Sequence, residues 1–349
     1  MKIALVTGSY PPDTCGVGDY TSRLAQALGH RGVEIRIIRH DSWHMRNTNR
    51  ILASIRNENP DLVHIQYPTA GFRKHLTPQL LSLAIPSVVT IHEFSEAHIL
   101  RQLSLYPYFL RSRHVIFTTS FERDFALRRA PWISRRCSVI PVGSAIMIGR
   151  KDERDPREIV HFGLYRPKKG IEEVLDLALL VKQRNLPYRV RLIGKAFPPG
   201  SSYHGELSDR SRDLPVLWSS NLDDQDVADL LSAASFGYMP YPDGASGRRT
   251  SLLALLANGV ATVTTRGSHT PAELERAVLF SSSAAEALGR IEEMRRDPVL
   301  RSRISEGGRE YASRFSWDSI ASKHFELYQE LLAGMQSSTR MEAPHRERE

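Results

Sequence analysis

Four groups of residues have types and spacings that could do chemistry, and three of them suit an anion. The first is the loop Tyr10-Pro-Pro-Asp-Thr-Cys-Gly16-Val-Gly18-Asp19-Tyr20. It joins a predicted strand to a predicted helix. The helix N-terminus points its unpaired N–H groups at the loop, and Gly16 and Gly18 permit close backbone approach, as a diphosphate requires. No third glycine follows three residues on, so this is not the dinucleotide fingerprint, and two glycines shaping a tight turn stand as the alternative. The second group is Phe162-Gly163-Leu164-Tyr165-Arg166-Pro167-Lys168-Lys169-Gly170, a strand, a loop with three cations and then a helix. Arg166 or Lys169 there would neutralise charge on a departing diphosphate. A solvated basic loop is the alternative. The third group is Ser246-Gly247-Arg248-Arg249-Thr250-Ser251. Gly247 frees the backbone, Arg248 and Arg249 offer guanidinium forks for phosphate, and Thr250 or Ser251 suits a helix cap. The fourth is His92-Glu93, closing the run Val88-Val-Thr-Ile. His92 can donate to a substrate hydroxyl or phosphate, or it can be a strand-end histidine satisfied by backbone. His64 reads more readily as structural. His40 and His44 lack a third ligand, and no metal is expected.

The elements that must position these residues alternate. Lys2–Thr7, Glu34–Ile38, Leu62–Ile65, Ser87–Ile91, Val115–Thr118 and Ser138–Ile140 read as strands, and Tyr20–Arg31 reads as a helix ended by Gly32. A second alternation follows. Ile159–Phe162, Arg189–Ile193, Phe236–Met239 and Ala261–Thr264 are predicted strands. Ile171–Gln183, Asp223–Ala234, Thr250–Asn258, Ser283–Arg295, Pro298–Phe315 and Trp317–Leu332 are predicted helices. This is an α/β chain with two parallel sheets, in which ligands sit at the C-terminal strand ends. The predicted divisions are 1–145, a linker at 146–157 carrying the charged run Arg150–Asp155, a second domain at 158–316, a last helix at 317–333, and a disordered tail at 334–349.

The chain has 349 residues, 41% hydrophobic and 25% charged, which suits two globular domains and excludes a mainly disordered or collagen-like protein. No run of ~20 uninterrupted apolar residues is present. The N-terminal apolar run is too short for a signal peptide core. Cys15 and Cys137 give no disulfide framework, so a reducing cytoplasm is the expected location. The net charge of +8 is uneven: residues 1–150 hold 17 Arg and 2 Lys against 5 Asp and 5 Glu. A basic first half suits phosphates, anionic lipid headgroups or nucleic acid, or is simply a solubilising surface. Leu100–Arg113 mixes leucines, aromatics and arginines. It fits either an interfacial helix at the inner face of a membrane or a core helix with a basic outer face. Nucleic acid has only the charge in its favour, since no helix-turn-helix, RNP or zinc pattern is present.

In this order the pieces resemble the retaining GT-B glycosyltransferases of family 4, over roughly Met1 to Leu332. They are the YPP…G-x-G loop, Asp61-Leu-Val-His-Ile-Gln, Val-Thr-Ile-His92-Glu, Thr119-Ser120, and Val139-Ile-Pro-Val-Gly143. Phe162-Gly163…Lys169-Gly170, Leu252–Val263 with Ala257-Asn-Gly259, and Phe315-Ser-Trp-Asp complete the set. The resemblance implies two Rossmann-like domains facing each other across a cleft. The first would take the acceptor and the second a nucleotide-sugar, and a last helix would cross back to the first domain. It further implies a metal-independent, hexosyl-type transferase that retains anomeric configuration and uses no cofactor beyond its nucleotide-sugar co-substrate. Lys169 would stabilise the leaving diphosphate, Gly16 and Gly18 would approach it, and His92 would contact the reacting region. The acceptor would be a glycan, a lipid-linked sugar or a small molecule, as in polysaccharide biosynthesis.

Two departures bear on this. The family usually has Arg directly after the glycine matching Gly163, where this chain has Leu164, and Arg166 is the substitute at hand. The family often carries E-x7-E in the donor loop, where this chain has Ser246 and Ala254. Hence a non-catalytic nucleotide- or glycan-binding protein stands as the alternative function. A GT-B sugar-nucleotide epimerase fits the order of motifs less well.

Overall fold

The computed structural model of the protein describes residues 1–13, 15–143, 147–196, 202–247 and 249–341. The chain divides into two compact units, Met1–Gly143 with Trp317–Glu349, and Ser144–Ser316.

The first unit is built from β1 (Lys2–Val6), α1 (Gly16–Gly29), β2 (Glu34–Ile38), α2 (Thr48–Asn57), β3 (Leu62–Tyr67) and α3 (Thr77–Ala84). It continues through β4 (Ser87–Ile91), α4 (Ile99–Ser104), α5 (Tyr106–Arg111), β5 (His114–Phe117), α6 (Ser120–Leu127) and β6 (Cys137–Val139). The strands form one parallel six-stranded sheet in the order β2-β1-β3-β4-β5-β6. The central strands β3 and β4 are buried along their whole length, as expected of a parallel sheet covered on both faces.

The second unit holds β7 (Asp155–Tyr165), α7 (Ile171–Gln183), β8 (Arg189–Ala196), α8 (Ser202–Arg210), β9 (Val216–Ser220) and α9 (Asp224–Ala233). Then come β10 (Ala234–Met239), α10 (Thr250–Ala257), β11 (Ala261–Thr264), β12 (Leu279–Phe280), α11 (Ala284–Arg296) and α12 (Pro298–Ser313). Its sheet is also parallel and six-stranded, in the order β12-β11-β10-β7-β8-β9. One face packs on α7 and α11 through Val174, Leu177, Leu288 and Ile291. The other packs on α10 and α12 through Leu252, Leu255, Leu256 and Ala312.

The final helix, α13 (Trp317–Met341), belongs to the first unit, where Ile320, Ala321 and Tyr328 are buried with Ile3, Leu5, Leu24 and Leu28. It runs on past residue 333, so Gly334–Met341 are helical where loss of periodicity suggested a tail. One glycine in a helix costs only ~1 kcal/mol, too little to end it. Residues 342–349 of that expected tail lie outside the described residues.

The stretch read as a linker, 146–157, also differs. Ile146 lies outside the described residues, but from Gly149 onward the segment is bound to the second unit. Gly149 N donates to Asn258 Oδ1 at 2.8 Å, Lys151 N donates to Ser232 Oγ at 3.2 Å, and Arg150 pairs with Asp229 at 2.7 Å. Arg154 donates to the carbonyls of Ala234 and Asn258, and β7 begins at Asp155. The charged run looks solvated in sequence because its partners are backbone carbonyls and an aspartate far along the chain.

Candidate functional site

In the first unit, parallel pairing decides what His92 meets. On β3 and β4, His64 lies beside Val88 and Gln66 beside Thr90, so His92 follows two residues beyond Thr90. Residues two apart on a strand share a face, which brings His64, Gln66, Thr90 and His92 together. The Gln66 Oε1 accepts from His92 Nε2 at 2.9 Å. The same amide donates through Nε2 to His64 Nε2 at 3.2 Å, and Thr90 Oγ1 lies 2.7 Å from that nitrogen. The only ring nitrogen left to carry the His64 proton is Nδ1, which lies 2.6 Å from Tyr328 Oη on α13. With the Gln66 amide so oriented, His92 carries a proton on Nε2.

His64 is wholly buried, and burial, reinforced by His324, His92 and His114, holds its pKa well below the ordinary histidine value. It is therefore neutral and fixed. The Tyr20 and His92 rings meet edge to face with centroids 4.9 Å apart, and the Tyr20 and Trp317 ring centroids lie 5.3 Å apart. His92 is thus set by β3, β4 and α1, with α13 anchoring the far end of the hydrogen-bonded chain.

The two glycines of the first loop are unlike. A Cβ on Gly18 would meet Ser9 O at 2.9 Å, so Gly18 is required by packing of α1 against the β1 loop. Gly16, exposed at the start of α1, has open space where its side chain would be.

In the second unit, the loop after β7 is pressed onto the loop after β10. Lys168 has φ +64° and Gly170 has φ +76°, and a Cβ on Gly170 would lie 1.6 Å from Pro240 O. That contact brings Lys169 beside Arg249. The Lys169 ammonium titrates below the ordinary lysine value, through burial first and then the positive charges of Arg166 and Arg249, with Asp243 opposing. Arg249 pairs with Asp243 and lies 4.6 Å above the Tyr241 ring. Neither α7 nor α10 has a side-chain cap. Lys169, Arg166 and Arg249 gather with Asp243 beside two helix N-termini that lack side-chain caps, and α7 carries Glu172 and Glu173 in its first turn. Gly163 lies above His161, a buried imidazole whose Nδ1 lies 3.0 Å from Tyr238 O and whose pKa burial lowers to about 4.

Two expectations for the third loop fail. Neither Thr250 nor Ser251 caps α10, because the N-cap position is Arg249, and the Ser251 hydroxyl lies 2.9 Å from Tyr241 Oη instead. Gly247 is not required by backbone conformation: its φ is not positive, and a Cβ there would have ordinary contact distances, 3.7 Å to Phe315. Ser246 O accepts from Arg249 N at 3.1 Å, closing the turn into α10. Arg248 lies outside the described residues. Ala254 is buried in α10 among leucines.

Gln66, Thr90, Tyr328, His161, Tyr241 and Asp243 were not singled out from sequence. For Gln66 and Thr90 the signal was available: two adjacent parallel strands with polar residues spaced by two. Among the described residues no group of three or more His, Cys, Asp or Glu converges as a metal site. A cavity of about 720 Å³ adjoins this cluster at the C-terminal ends of β10, β11 and β12, with Gly170, Pro240 and Tyr241 in its lining together with Glu173, Arg266 and Glu286. Its carboxylates are engaged by backbone N–H groups, Glu173 by Ala284 N and Glu286 by Ser282 N.

Residues 38–144 match the model of Glycosyltransferase Family 4. No curated protein sequence matches the chain. Among solved structures, a glycosyltransferase from Rickettsia africae is 15% identical, with a TM-score of 0.70 and coverage of 95% of this chain and 98% of that one. HepE of Anabaena, in complex with UDP, is 16% identical with a TM-score of 0.68, covering 95% and 100%. Sucrose-phosphate synthase from Thermosynechococcus elongatus is 17% identical with a TM-score of 0.64, covering 96% and 100%. Two parallel six-stranded sheets with flanking helices and these likenesses place the chain among proteins of the GT-B glycosyltransferase fold, and residues 38–144 are similar to Glycosyltransferase Family 4.

Proposed function

We propose that the protein transfers a hexosyl group from a nucleotide-sugar to a glycan, lipid-linked or small-molecule acceptor, with retention of anomeric configuration and without a metal. The observation that carries this reading is Lys169, held beside Arg166 and Arg249 near the uncapped N-termini of α7 and α10. Such a cluster suits a diphosphate leaving group, whose charge grows as the glycosidic bond breaks. The UDP held by the HepE structure supports a nucleoside diphosphate as the ligand class. In this reading the second unit takes the donor: Lys169 and Arg166 contact the diphosphate, with Gly163 and Ser246–Ser251 around it. Gly16 leaves room at the start of α1, and His92 donates or accepts at the reacting hydroxyl. The departing phosphate oxygen takes the acceptor proton, so no separate carboxylate base is needed.

Ser246 and Ala254 favour one second reading, a nucleotide- or glycan-binding protein without turnover. A thermal-shift panel of the full chain with UDP, GDP, ADP, dTDP and their sugar conjugates, with and without EDTA, tests ligand class. At ~100 times Kd a bound nucleotide adds about 2.7 kcal/mol of stability. A base-selective shift unaffected by EDTA is expected. No shift with any nucleotide overturns the transferase reading and leaves the second reading as a glycan binder without turnover.

A further inference from the structure

The first unit carries a surface that the sugar-transfer chemistry does not use. In α4, Ile99, Leu100 and Leu103 are 58%, 69% and 54% exposed, and in α5 Leu110 is 60% exposed. The opposite side of the same segment is core: Leu105, Tyr108 and Phe109 are wholly buried. Trp132, 49% exposed, is fastened to this surface, its Nε1 donating to Phe109 O at 3.1 Å and its ring 6.4 Å from Tyr106. Ile99, Leu100 and Leu103 stand at i, i+1 and i+4 on α4 and so share one stripe of the helix, and large apolar side chains side by side in water are not explained by folding of this chain.

Charge identifies what would cover them. Residues 98–149 hold eight arginines and two acidic residues, Glu122 and Asp124. Glu122 is buried and accepts from Phe94 N, Ser95 N and Ser95 Oγ, while Asp124 pairs with Arg123. Between residues 97 and 121 there is no carboxylate at all. The exposed Arg101, Arg111 and Arg113, which share this segment with the leucines, form no ion pair among the described residues. Leucines and a tryptophan among unopposed arginines fit the boundary of an anionic bilayer, where apolar groups enter the acyl region and guanidiniums meet headgroup phosphates. Nucleic acid would use the arginines but leave four aliphatic side chains in water. A second copy of this chain would bring equal positive charge against itself. No helix among the described residues is long and apolar enough to cross a membrane, so such contact is peripheral.

We propose that the α4–α5 surface, with Trp132, docks the protein on an anionic lipid bilayer. The α4 helix begins seven residues after His92, on the same β4 connection, so docking there places a membrane-borne acceptor at the β4 end of the first unit. That purpose rests on the transferase reading, but the docking itself does not.

The test is co-sedimentation of the full chain with vesicles of phosphatidylglycerol and phosphatidylcholine, against phosphatidylcholine alone, at low and high salt and without sugar substrates. Binding to the anionic vesicles, weakened by salt and reduced about tenfold or more in L100E/L103E and in R111E/R113E, is expected. Both positions of each pair are exposed, and an unchanged Tm checks that the variants fold. Brominated lipid should quench tryptophan emission in the wild type, with less quenching in Trp132→Phe. Absent binding, equal binding to neutral vesicles, undiminished binding by L100E/L103E, or salt-sensitive binding to a 30-mer RNA without vesicle binding would each overturn the proposal. Because no donor or acceptor is present, a failure here is distinct from a failure to transfer sugar.

Discussion

Gln66 lies between two histidines and bonds to both, His92 at 2.9 Å and His64 at 3.2 Å. Its amide is a fixed orienter, because His64 is itself held by Thr90 and Tyr328. Leucine at this position would keep the volume and remove both bonds. Gln66→Leu should cost about 1–3 kcal/mol of stability through the buried groups left unpaired. It should also lower kcat for transfer by ~10- to 100-fold with the donor KM little changed, because His92 loses its tautomer and orientation. Nitrogen chemical shifts of the His92 ring, read against the wild type, report the tautomer directly.

Lys169 should matter through its charge and place. Lys169→Ala should reduce transfer by ~10²- to 10³-fold, the usual loss when a preorganised charge partner of a transition state is removed. Lys169→Arg should retain part of the activity, since the charge stays while the geometry changes. Initial rates of nucleoside diphosphate release in the three proteins check both statements.

Gly170 is a structural hinge for that lysine. Its φ of +76° and the 1.6 Å approach to Pro240 O leave no room for a Cβ. Gly170→Ala should destabilise the protein by about 3 kcal/mol, seen as a lowered urea midpoint, and should displace Lys169 from Arg249.

Stability should fall on the acid side. His161 and His324 are fully buried and titrate at about 4, against 6.5 in an unfolded chain, with burial the main cause. Between those values the unfolded chain binds protons that the folded one refuses, so unfolding is favoured as pH falls. Each histidine contributes stability that is fully present above pH 6.5 and is lost at up to about 1.4 kcal/mol per pH unit toward pH 4. His64 acts in the same direction. Tm measured from pH 8 to pH 4 should be flat and then decline, and His161→Gln should decline less steeply.

Much of the frame was readable because its signals are local. Ser87–Ile91, Ile171–Gln183 and Ala261–Thr264 have the predicted bounds, each a short β-branched run or a clear helical repeat between turn signals. The strand Val216–Ser220 went unread: it is short, half-buried at the sheet edge, and ends in two serines. The site was legible as loops, not as contacts. Lys169 and Arg249 stand 80 positions apart, and the parallel pairing of β7 with β10 and the approach of Gly170 to Pro240 O join them. Likewise the Ser251 hydroxyl was free to cap α10 by its position, but Tyr241 is nearer to it in the fold. The linkage of His64 to Tyr328 spans 264 residues and follows from α13 packing on the first unit, which no local pattern encodes.

The central claim is turnover of a nucleotide-sugar at the Lys169 cluster. The most direct measurement is release of nucleoside diphosphate from a panel of nucleotide-sugars, with mixed glycan and lipid-linked acceptors, by the wild type and Lys169→Ala side by side. Acceptor-stimulated release from one donor class, insensitive to EDTA and lost in the variant, is expected. Tight, base-selective nucleotide binding with no release from any donor would contradict it and leave a protein that holds the ligand without reacting it.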